Sequence, residues 1–428
     1  MALKLMRVKQ NMLTNQFGKK CFSLFIISLL SVCFVYASTI MVCESCEVST
    51  VIRAVHMAQP HDTVRVKSGE YEAISLEITK PITLLGEPGA TLNGGANNYV
   101  LKLLADSITV SGFSILNSGR SYTKDYAAIY VYRASYVKII NNKISKAFFG
   151  ILIEKSNNGV VSGNEVIGTA KKESQSGNGI HLWHCDGMRI TENVVTGMRD
   201  GIYLEFVDNS QVNNNYTHHN VRYGLHFMFS NHDSYTDNKF EQNGAGVAVM
   251  FSKWIVMKRN NFYKNWGTAS YGLLLKEIYD GEVEGNKFEE NTIGIYIDGL
   301  TRMTFTRNTL RQNGWGVKVS GGCYTNEFKE NNFIGNSFDL SYNSQLNDNT
   351  FNNNFWSDYT GYDLDKDGKG DVPYRPVKLF SYIVNQTPET IILLRSLFVD
   401  IINFSEKVSP VFTPDKLVDA TPSIRTFQ

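Results

Sequence analysis

A short repeat fills the middle of this 428-residue chain and restricts its fold more than any other feature. Each unit opens with a glycine and continues with alternating apolar residues, and most units start 22 or 23 residues after the one before. The units are GILIEK (150–155), GIHLWH (179–184), GIYLEF (201–206), GLHFMF (224–229), GVAVMF (246–251), GLLLKE (272–277), GIYIDG (294–299) and GVKVSG (316–321). Self-similarity at such a period indicates a stack of equal structural units.

An asparagine recurs in step with the glycines, at the same place in almost every unit. Its positions are Asn142, Asn164, Asn193, Asn215, Asn238, Asn260, Asn286, Asn308, Asn331 and Asn349. Aligned asparagines can stack as a hydrogen-bonded ladder, and asparagine also tolerates the left-handed backbone of a bend. We therefore interpret this column as structural rather than catalytic.

Two short strands in about 22 residues suit neither a leucine-rich repeat nor a helical repeat. They predict an all-β fold, a right-handed parallel β-helix in which each unit is one coil of a solenoid. We expect the β-helix to cover residues 38–355, and a short helical segment to follow near the C-terminus.

The alternation within each unit predicts which side chains face outward, because residues i and i+2 of a strand share a face. Leu225 and Phe227 point into the core, so His226 and Met228 point out. Adjacent coils lie about 4.8 Å apart. Met250 of the next coil should therefore lie directly above Met228, with His226 diagonally near.

Thioether and imidazole ligands together suit copper, especially Cu(I), which makes His226, Met228 and Met250 candidate copper ligands. The alternative is a protein-docking surface, where methionine and aromatic residues are common. The two interpretations are compatible, since copper can pass at a docking surface. His181, His184 and Cys185 form a weaker candidate, because their spacing matches no closed metal site.

The N-terminal segment resembles an export signal. Basic residues precede the apolar run 21–37, which is short for a membrane span and ends in a small-residue cleavage pattern. We predict a Sec-type signal peptide over residues 1–37, with a retained signal anchor as the alternative. Cys43 and Cys46 follow it as a CxxC pair that could bind Cu(I), form a disulfide, do redox work or have no role. The formal charge of +1 gives no electrostatic reason to expect a nucleic-acid partner.

Residues 356–428 contain an aspartate-rich loop and a helical tail. Asp363, Asp365, Asp367 and Asp371 lie within nine residues and resemble the first half of a calcium-binding loop, although the usual glutamate is missing. The alternative is a solvated acidic loop. The apolar spacing in 389–404 predicts a single helix that would cap the solenoid, lie against a membrane or dock a membrane-protein partner. Its candidate interface residues are Leu394, Leu397, Phe398, Ile401 and Ile402.

Several longer motifs, taken in order, resemble the NosD family of periplasmic copper-maturation proteins. They are PHDTVRVKSGEY (60–71), PITLLGEPGATLNGG (81–95), RDGIYLEF (199–206), GLHFMFSN (224–231), AVMFS (248–252) and NFWSDYTGYDLDKDGKGDVPYRP (354–376). The resemblance implies a non-enzymatic protein of the periplasm, attached to the inner membrane through an ABC-type permease with a cytoplasmic ATPase. It also implies copper delivery to nitrous oxide reductase, with a copper-chaperone lipoprotein as donor.

A polysaccharide lyase or epimerase is the competing hypothesis, because such enzymes also use β-helices. Their chemistry needs a base and carboxylates that converge on one sugar. The outward carboxylates Glu154, Glu205 and Asp298 are instead several coils apart in the predicted stack. A passive surface adhesin is a third possibility.

Overall fold

The computed structural model describes residues 37–428 except 122, 268, 269, 344–346, 395 and 409–416. The predicted signal peptide therefore lies outside the described residues, apart from its last position. In the part of the chain that is described, three parallel sheets wind around a common core, and each coil contributes a strand to each sheet in turn. This arrangement confirms the all-β parallel solenoid.

We name the three sheets A, B and C. The strands of sheet A are Thr39–Val42, Thr63–Val66, Thr83–Gly86, Thr109–Ser111, Lys138–Ile140, Val160–Ser162, Arg189–Thr191, Gln211–Asn213, Ser234–Thr236, Lys253–Lys258, Tyr279–Glu284, Thr301–Thr306, Cys323–Lys329 and Asn347–Asn352. Those of sheet B are Gly69–Glu72, Ala90–Asn93, Ser114–Leu116, Lys143–Ser145, Glu165–Ile167, Val194–Thr196, Tyr216–His218, Lys239–Glu241, Asn261–Tyr263, Lys287–Glu289, Thr309–Arg311, Asn332–Ile334 and Phe355–Trp356. Those of sheet C are Leu76–Ile78, Leu101–Leu103, Ala127–Tyr132, Phe149–Glu154, Ile180–Asp186, Ile202–Asp208, Tyr223–Met228, Ala245–Met250, Leu273–Lys276, Ile293–Asp298, Trp315–Ser320 and Phe338–Asn343.

The core is a set of stacked apolar columns, because the same position of each coil points inward. Leu225 and Phe227 are fully buried, as the alternation predicts. Aromatic rings also stack inside, for example Phe262 on Phe288 with ring centroids 4.5 Å apart. Every inward residue thus meets a similar neighbour one coil away, and the core is continuous along the solenoid.

A buried asparagine ladder runs along the bend between sheets A and B. In the ladder, Asn238 donates from its side-chain amide to Oδ1 of Asn260 at 3.0 Å, and it accepts from the backbone and side chain of Asn215. The ladder continues to Asn354 rather than to Asn349, which instead accepts from Asn326 in a separate pair. The sequence assignment of that last rung was wrong, because the ladder keeps its spacing of 23 residues from Asn331 to Asn354, whereas Asn349 lies only 18 residues after Asn331.

The ladder asparagines are not themselves left-handed, contrary to expectation. The residue immediately before each one has the positive φ, as in Asn214 (φ 55°), Asp237 (φ 57°) and Arg259 (φ 55°). That left-handed residue turns the chain, and the following asparagine side chain is thereby directed inward to bridge the coils. A second ladder, which the sequence analysis missed, joins Asn220, Asn243, Asn265, Asn291, Asn313 and Asn336 at the bend after sheet B.

Both ends of the solenoid are covered by other segments of the chain. Helix α1 (Val51–Met57) buries Val51, Ala54 and Val55 near the first strands of sheet A. At the other end, the buried Asp419 carboxylate accepts from the Asn354 backbone and the Trp356 indole, at 2.9 and 3.1 Å. Asp419 therefore ends the asparagine ladder.

The tail is not the single helix that the sequence predicted over 389–404. It forms helix α2 (Leu379–Gln386), a 3₁₀ turn (Pro388–Leu393) and helix α3 (Leu397–Val408). The helix breaks because Leu394 is extended (ψ 126°) and Ser396 starts a new one, its Oγ accepting from the Val399 backbone at 3.4 Å. The two helices pack on Trp315 and Phe338 of sheet C through an apolar cluster separate from the main core. Among the described helices, none has the length and apolar content to cross a membrane.

Candidate functional site

The outer face of sheet C brings together two of the three main copper candidates. Met228 pairs directly with Met250 in the parallel register, and both side chains are half-buried. His226 lies on the same face two residues before Met228 and pairs with Ala248. The hydroxyl of Tyr203, on the preceding coil, donates to the Met228 sulfur at 3.8 Å. Thioethers, a phenol and an imidazole therefore lie on one face of three consecutive coils.

His226 points away from the core but is covered by aromatic rings. Its ring stacks on Tyr203 at 4.6 Å and contacts Tyr223 at 4.8 Å, and the residue is only 7% exposed. Both ring nitrogens are shielded from solvent and have no hydrogen-bond partner among the described residues. Burial lowers the pKa of His226 to about 4, so the imidazole is neutral at physiological pH.

A half-buried ion pair holds Tyr223 against this histidine. The fully buried Asp200 carboxylate accepts from Arg222 at 2.9 and 2.6 Å, and the guanidinium lies 4.9 Å from the Tyr223 ring centre. The hydroxyl of Tyr271 donates to that of Tyr223 at 3.4 Å. The sequence analysis missed this support, although the tyrosines recur at the edges of the same repeat unit.

His181 lies in the same column as His226, two coils earlier. Its ring lies between Phe149, at 5.9 Å, and Tyr203, at 4.7 Å. Its two nitrogens are likewise buried without a hydrogen-bond partner among the described residues, and burial lowers its pKa to about 3. Because Tyr203 separates the two imidazoles, they do not form a shared pair of ligands.

The structure separates the other two members of the weaker candidate. His184 is exposed at the turn and stacks on Phe206 at 4.6 Å. The Cys185 thiol is buried and donates to the Ile153 carbonyl at 3.6 Å, and burial raises its pKa to about 11. The protonated Cys185 thiol lies on the core side and does not join the histidines of the outer face. The predicted grouping of His181, His184 and Cys185 is therefore wrong.

Cys43 and Cys46 form a disulfide. Of the roles that the sequence left open, the structure shows this one. Because both sulfurs are in the S–S bond, neither offers a thiolate to copper in this state. The prediction that Cys43 and Cys46 bind copper is therefore wrong for the oxidised protein.

The aspartate-rich loop gathers three of its four predicted carboxylates. Ligand oxygens of Asp363, Asp365 and Asp367 all lie within 4.8 Å of one another. The Asp371 carboxylate is engaged separately, since it accepts from the Leu364 backbone at 2.7 Å. The loop is also organised by its own backbone, because Gly368 donates to Asp363 at 3.0 Å.

The predicted partner interface is largely exposed on helix α3. Leu397 is 73% exposed, Phe398 57% and Ile401 57%, whereas Ile402 and Leu394 are half-buried. Leu394 packs against the small apolar cluster beside sheet C. Leu397 and Ile401 are four residues apart, so they lie on one face of helix α3.

The carboxylates that a lyase would need lie far apart in the register. Glu154 and Glu205 are two coils apart in one column, and Asp298 is four coils beyond Glu205. Glu154 accepts from the Tyr130 hydroxyl at 2.8 Å, and Asp298 lies 3.8 Å from the Lys276 ammonium. At about 4.8 Å per coil, these groups do not meet at one sugar.

A family model and two relatives of the same description match this chain. Residues 162–361 match the family model described as "Periplasmic copper-binding protein (NosD)". The "Probable ABC transporter binding protein NosD" of Stutzerimonas stutzeri is 27% identical over 381 residues, which is 84% of this chain and 86% of that protein. The protein of the same description from Pseudomonas aeruginosa is 29% identical over 377 residues, 84% of this chain and 87% of the other.

Among solved structures, a PL6 alginate lyase in complex with a trisaccharide superposes with a TM-score of 0.57. The identity is 12%, and the match covers 75% of this chain and 85% of the lyase. At this identity the likeness shows the shared solenoid fold alone.

Proposed function

Because this chain is a NosD-type protein, we propose that it is a non-enzymatic copper-delivery factor of the periplasm that assists maturation of the copper–sulfide centre of nitrous oxide reductase. Export would depend on the predicted signal peptide over residues 1–37. The relatives' names support association with an ABC transporter system. We propose an ABC-type permease, its cytoplasmic ATPase and a copper-chaperone lipoprotein as the other partners.

The observation that carries this proposal is the direct pairing of Met228 with Met250 on the outer face of sheet C. Two thioethers on adjacent strands are soft ligands that favour Cu(I) over the harder divalent ions. Their partial exposure lets an ion reach them from a docked protein. Such a site suits transient binding, because two thioethers and one imidazole hold copper less firmly than a thiolate set.

His226 would be the third ligand. Its imidazole is already neutral, so no proton competes with the metal at physiological pH. Neither ring nitrogen is engaged by a described hydrogen-bond partner. Because the ring is covered, binding would require Tyr203 or Tyr223 to shift and admit the ion.

Cu(I) competition against a chromogenic chelator tests the proposal. The triple variant Met228→Leu, Met250→Leu and His226→Phe keeps the apolar volume and the aromatic stack but removes both thioethers and the imidazole. We expect the apparent Cu(I) affinity to fall at least tenfold, or the stoichiometry to fall by one ion.

The matched control is Met57→Leu, which removes a methionine that is 47% exposed on helix α1, away from the outer face of sheet C. It should bind Cu(I) as the unaltered protein does. Equal binding by the triple variant would reject this copper site. Binding that appears only after reduction would point instead to Cys43 and Cys46.

We further propose that helix α3 docks on the permease through Leu397, Phe398 and Ile401, which are exposed on its apolar face. Replacing all three by serine should abolish co-purification with the permease while leaving Cu(I) affinity unchanged. Retention of the complex would reject this interface.

We also propose a structural Ca²⁺ in the aspartate-rich loop, since three carboxylates so close together repel one another without a cation. Added Ca²⁺ should raise the melting temperature of the protein but not that of the Asp363→Asn, Asp365→Asn variant. An identical response in both proteins would argue for a solvated acidic loop.

A further inference from the structure

Four consecutive coils carry a stack of aromatic side chains at a left-handed bend, which lies near the end of two sheet C strands and directly after the next two. We call these residues, His184, Phe206, Phe229 and Phe251, the aromatic ladder. Their rings stack nearly parallel with centroids 4.6, 5.1 and 5.2 Å apart. The three phenylalanines are 39%, 39% and 40% exposed. An apolar ladder is thus displayed on the outside of the solenoid.

The backbone of this turn makes phenylalanine a costly choice. All four residues are left-handed, with φ between 51° and 54°. In the flanking coils the same turn position, also with positive φ, is occupied by Arg133, Lys155, Glu277, Gly299 and Gly321. A bulky residue in this conformation is strained, and strain of this kind concentrates at functional sites. Glycine and charged residues occupy the same turn in the flanking coils, so the fold does not by itself require three consecutive phenylalanines there.

The ladder adjoins the methionine pair of sheet C. Met228 and Met250 immediately precede Phe229 and Phe251 in the chain. At the next left-handed position of the same two coils, His232 stacks on Trp254 at 4.4 Å, and Trp254 is 48% exposed. Aromatic residues and methionine are enriched where proteins bind one another.

The orientation of the rings indicates the chemistry of the partner. Rings that stack face to face present their edges to solvent, and ring edges carry partial positive charge. Methionine sulfur is favoured at ring edges. A sugar or a nucleobase would instead use ring faces, which the ladder residues already cover for each other.

Two lysines that form no ion pair with a described residue border the ladder. The Lys155 ammonium lies 5.0 Å from the Trp183 ring centre, and the Lys253 ammonium lies 5.9 Å from that of Trp254. Neither lies within 4.0 Å of a carboxylate among the described residues. A partner with acidic residues beside an apolar centre would complement this charge.

We propose that the aromatic ladder docks a methionine-bearing segment with acidic flanks, belonging to a copper-carrying partner protein. This inference rests on the proposed function, because docking there would bring the partner's thioethers beside Met228 and Met250. Copper would then pass between thioether ligands without being released into solvent.

The test uses a synthetic peptide of alternating methionine and glutamate, added to the full chain without copper and followed by calorimetry. The variant Phe206→Asn, Phe229→Asn, Phe251→Asn keeps residues that tolerate the left-handed turn. It should bind the peptide at least tenfold more weakly. Lys155→Glu with Lys253→Glu should also weaken binding. The control Tyr136→Asn removes an exposed, left-handed aromatic residue three coils before Phe206 without changing the charge, and it should bind as the unaltered protein does.

Each outcome decides one question. No peptide binding by the unaltered protein, or equal binding by the triple phenylalanine variant, overturns the docking proposal. Ladder-dependent binding of anionic lipid vesicles or of alginate oligosaccharides, but not of the peptide, also overturns it. Cu(I) affinity of the same variants is measured in parallel. Absence of Cu(I) binding by the unaltered protein would reject the proposed copper function. The peptide result reports on docking alone.

Discussion

The asparagine ladder and the aromatic ladder are both produced by repetition, one coil after another, but they differ in nearly every physical respect. Asn238 is buried, and its side chain forms hydrogen bonds on both sides. Phe229 is 39% exposed, and its backbone is left-handed. The asparagines satisfy backbone groups that would otherwise be unpaired in the core, whereas the phenylalanines satisfy none.

This difference separates residues that build a solenoid from residues that the solenoid displays. A column that the fold needs is maintained over many coils, as the asparagines are from Asn142 to Asn354. The phenylalanines occupy three coils, and the same turn then changes to glutamate at Glu277 and glycine at Gly299. Local enrichment at a position where the fold permits cheaper residues is therefore the better indicator of function.

Replacing a central rung of the asparagine ladder should have the largest effect on stability. Asn238→Ala leaves the Asn215 backbone N–H and the Val212 carbonyl without their partners in the core. Each buried unsatisfied group costs about 1–3 kcal/mol, so we expect a loss of about 3–5 kcal/mol. The shift of the urea unfolding midpoint measures this loss.

The control for this prediction is Asn97→Ala, an exposed asparagine outside the ladders. It should change stability by less than about 0.5 kcal/mol. A loss for Asn238→Ala no larger than for the control would mean that the asparagine ladder contributes little to stability. The two ladders would then no longer differ in their effect on the fold.

The buried imidazole of His226 should make the stability of the protein depend on pH. The pKa of His226 is about 4 in the folded protein, against 6.5 as its ordinary value. Between these values the unfolded chain binds a proton that the folded protein refuses, so stability falls as pH decreases from 6.5 toward 4. The full effect is roughly 3 kcal/mol.

The variant His226→Phe keeps a ring between Tyr203 and Tyr223 but has no group to protonate. Urea midpoints of the metal-free protein at pH 7, 6 and 5 should therefore decrease less in the variant than in the unaltered chain. His56→Phe, which changes an exposed histidine of helix α1, serves as the control. Identical pH dependence in all three proteins would mean that His226 is hydrated in solution.

The sequence predicted the features that depend on the period of the repeat. The inward residues, the first asparagine ladder up to Asn331 and the pairing of Met228 with Met250 all follow from one alternation repeated in register. Two strands per coil were predicted, whereas each coil has three, one in each sheet. The second ladder through Asn243 and Asn265 was visible in the same period but was not recognised.

The features that depend on contacts across coils could not be predicted. His226 was expected to be exposed, because alternation gives the direction of a side chain and not what lies above it. Its cover comes from Tyr203 on the preceding coil and from Tyr223, which Arg222 and Asp200 hold in place. The break in the tail helix at Ser396 was missed for a related reason, since the apolar spacing continues through it while the capping hydroxyl decides the boundary.

The smallest effect on stability is expected at the end of the aromatic ladder. Phe251→Asn loses one stacking partner, Phe229, and some half-exposed apolar area. It also relieves a left-handed backbone that costs phenylalanine about 1–2 kcal/mol, while a stacked pair contributes about 0.5–1.5 kcal/mol. Because these terms offset each other, the urea midpoint should move by less than the equivalent of about 1 kcal/mol. A loss comparable to that of Asn238→Ala would show that the phenylalanines hold the coils together, and their exposure would then no longer argue for a docked partner.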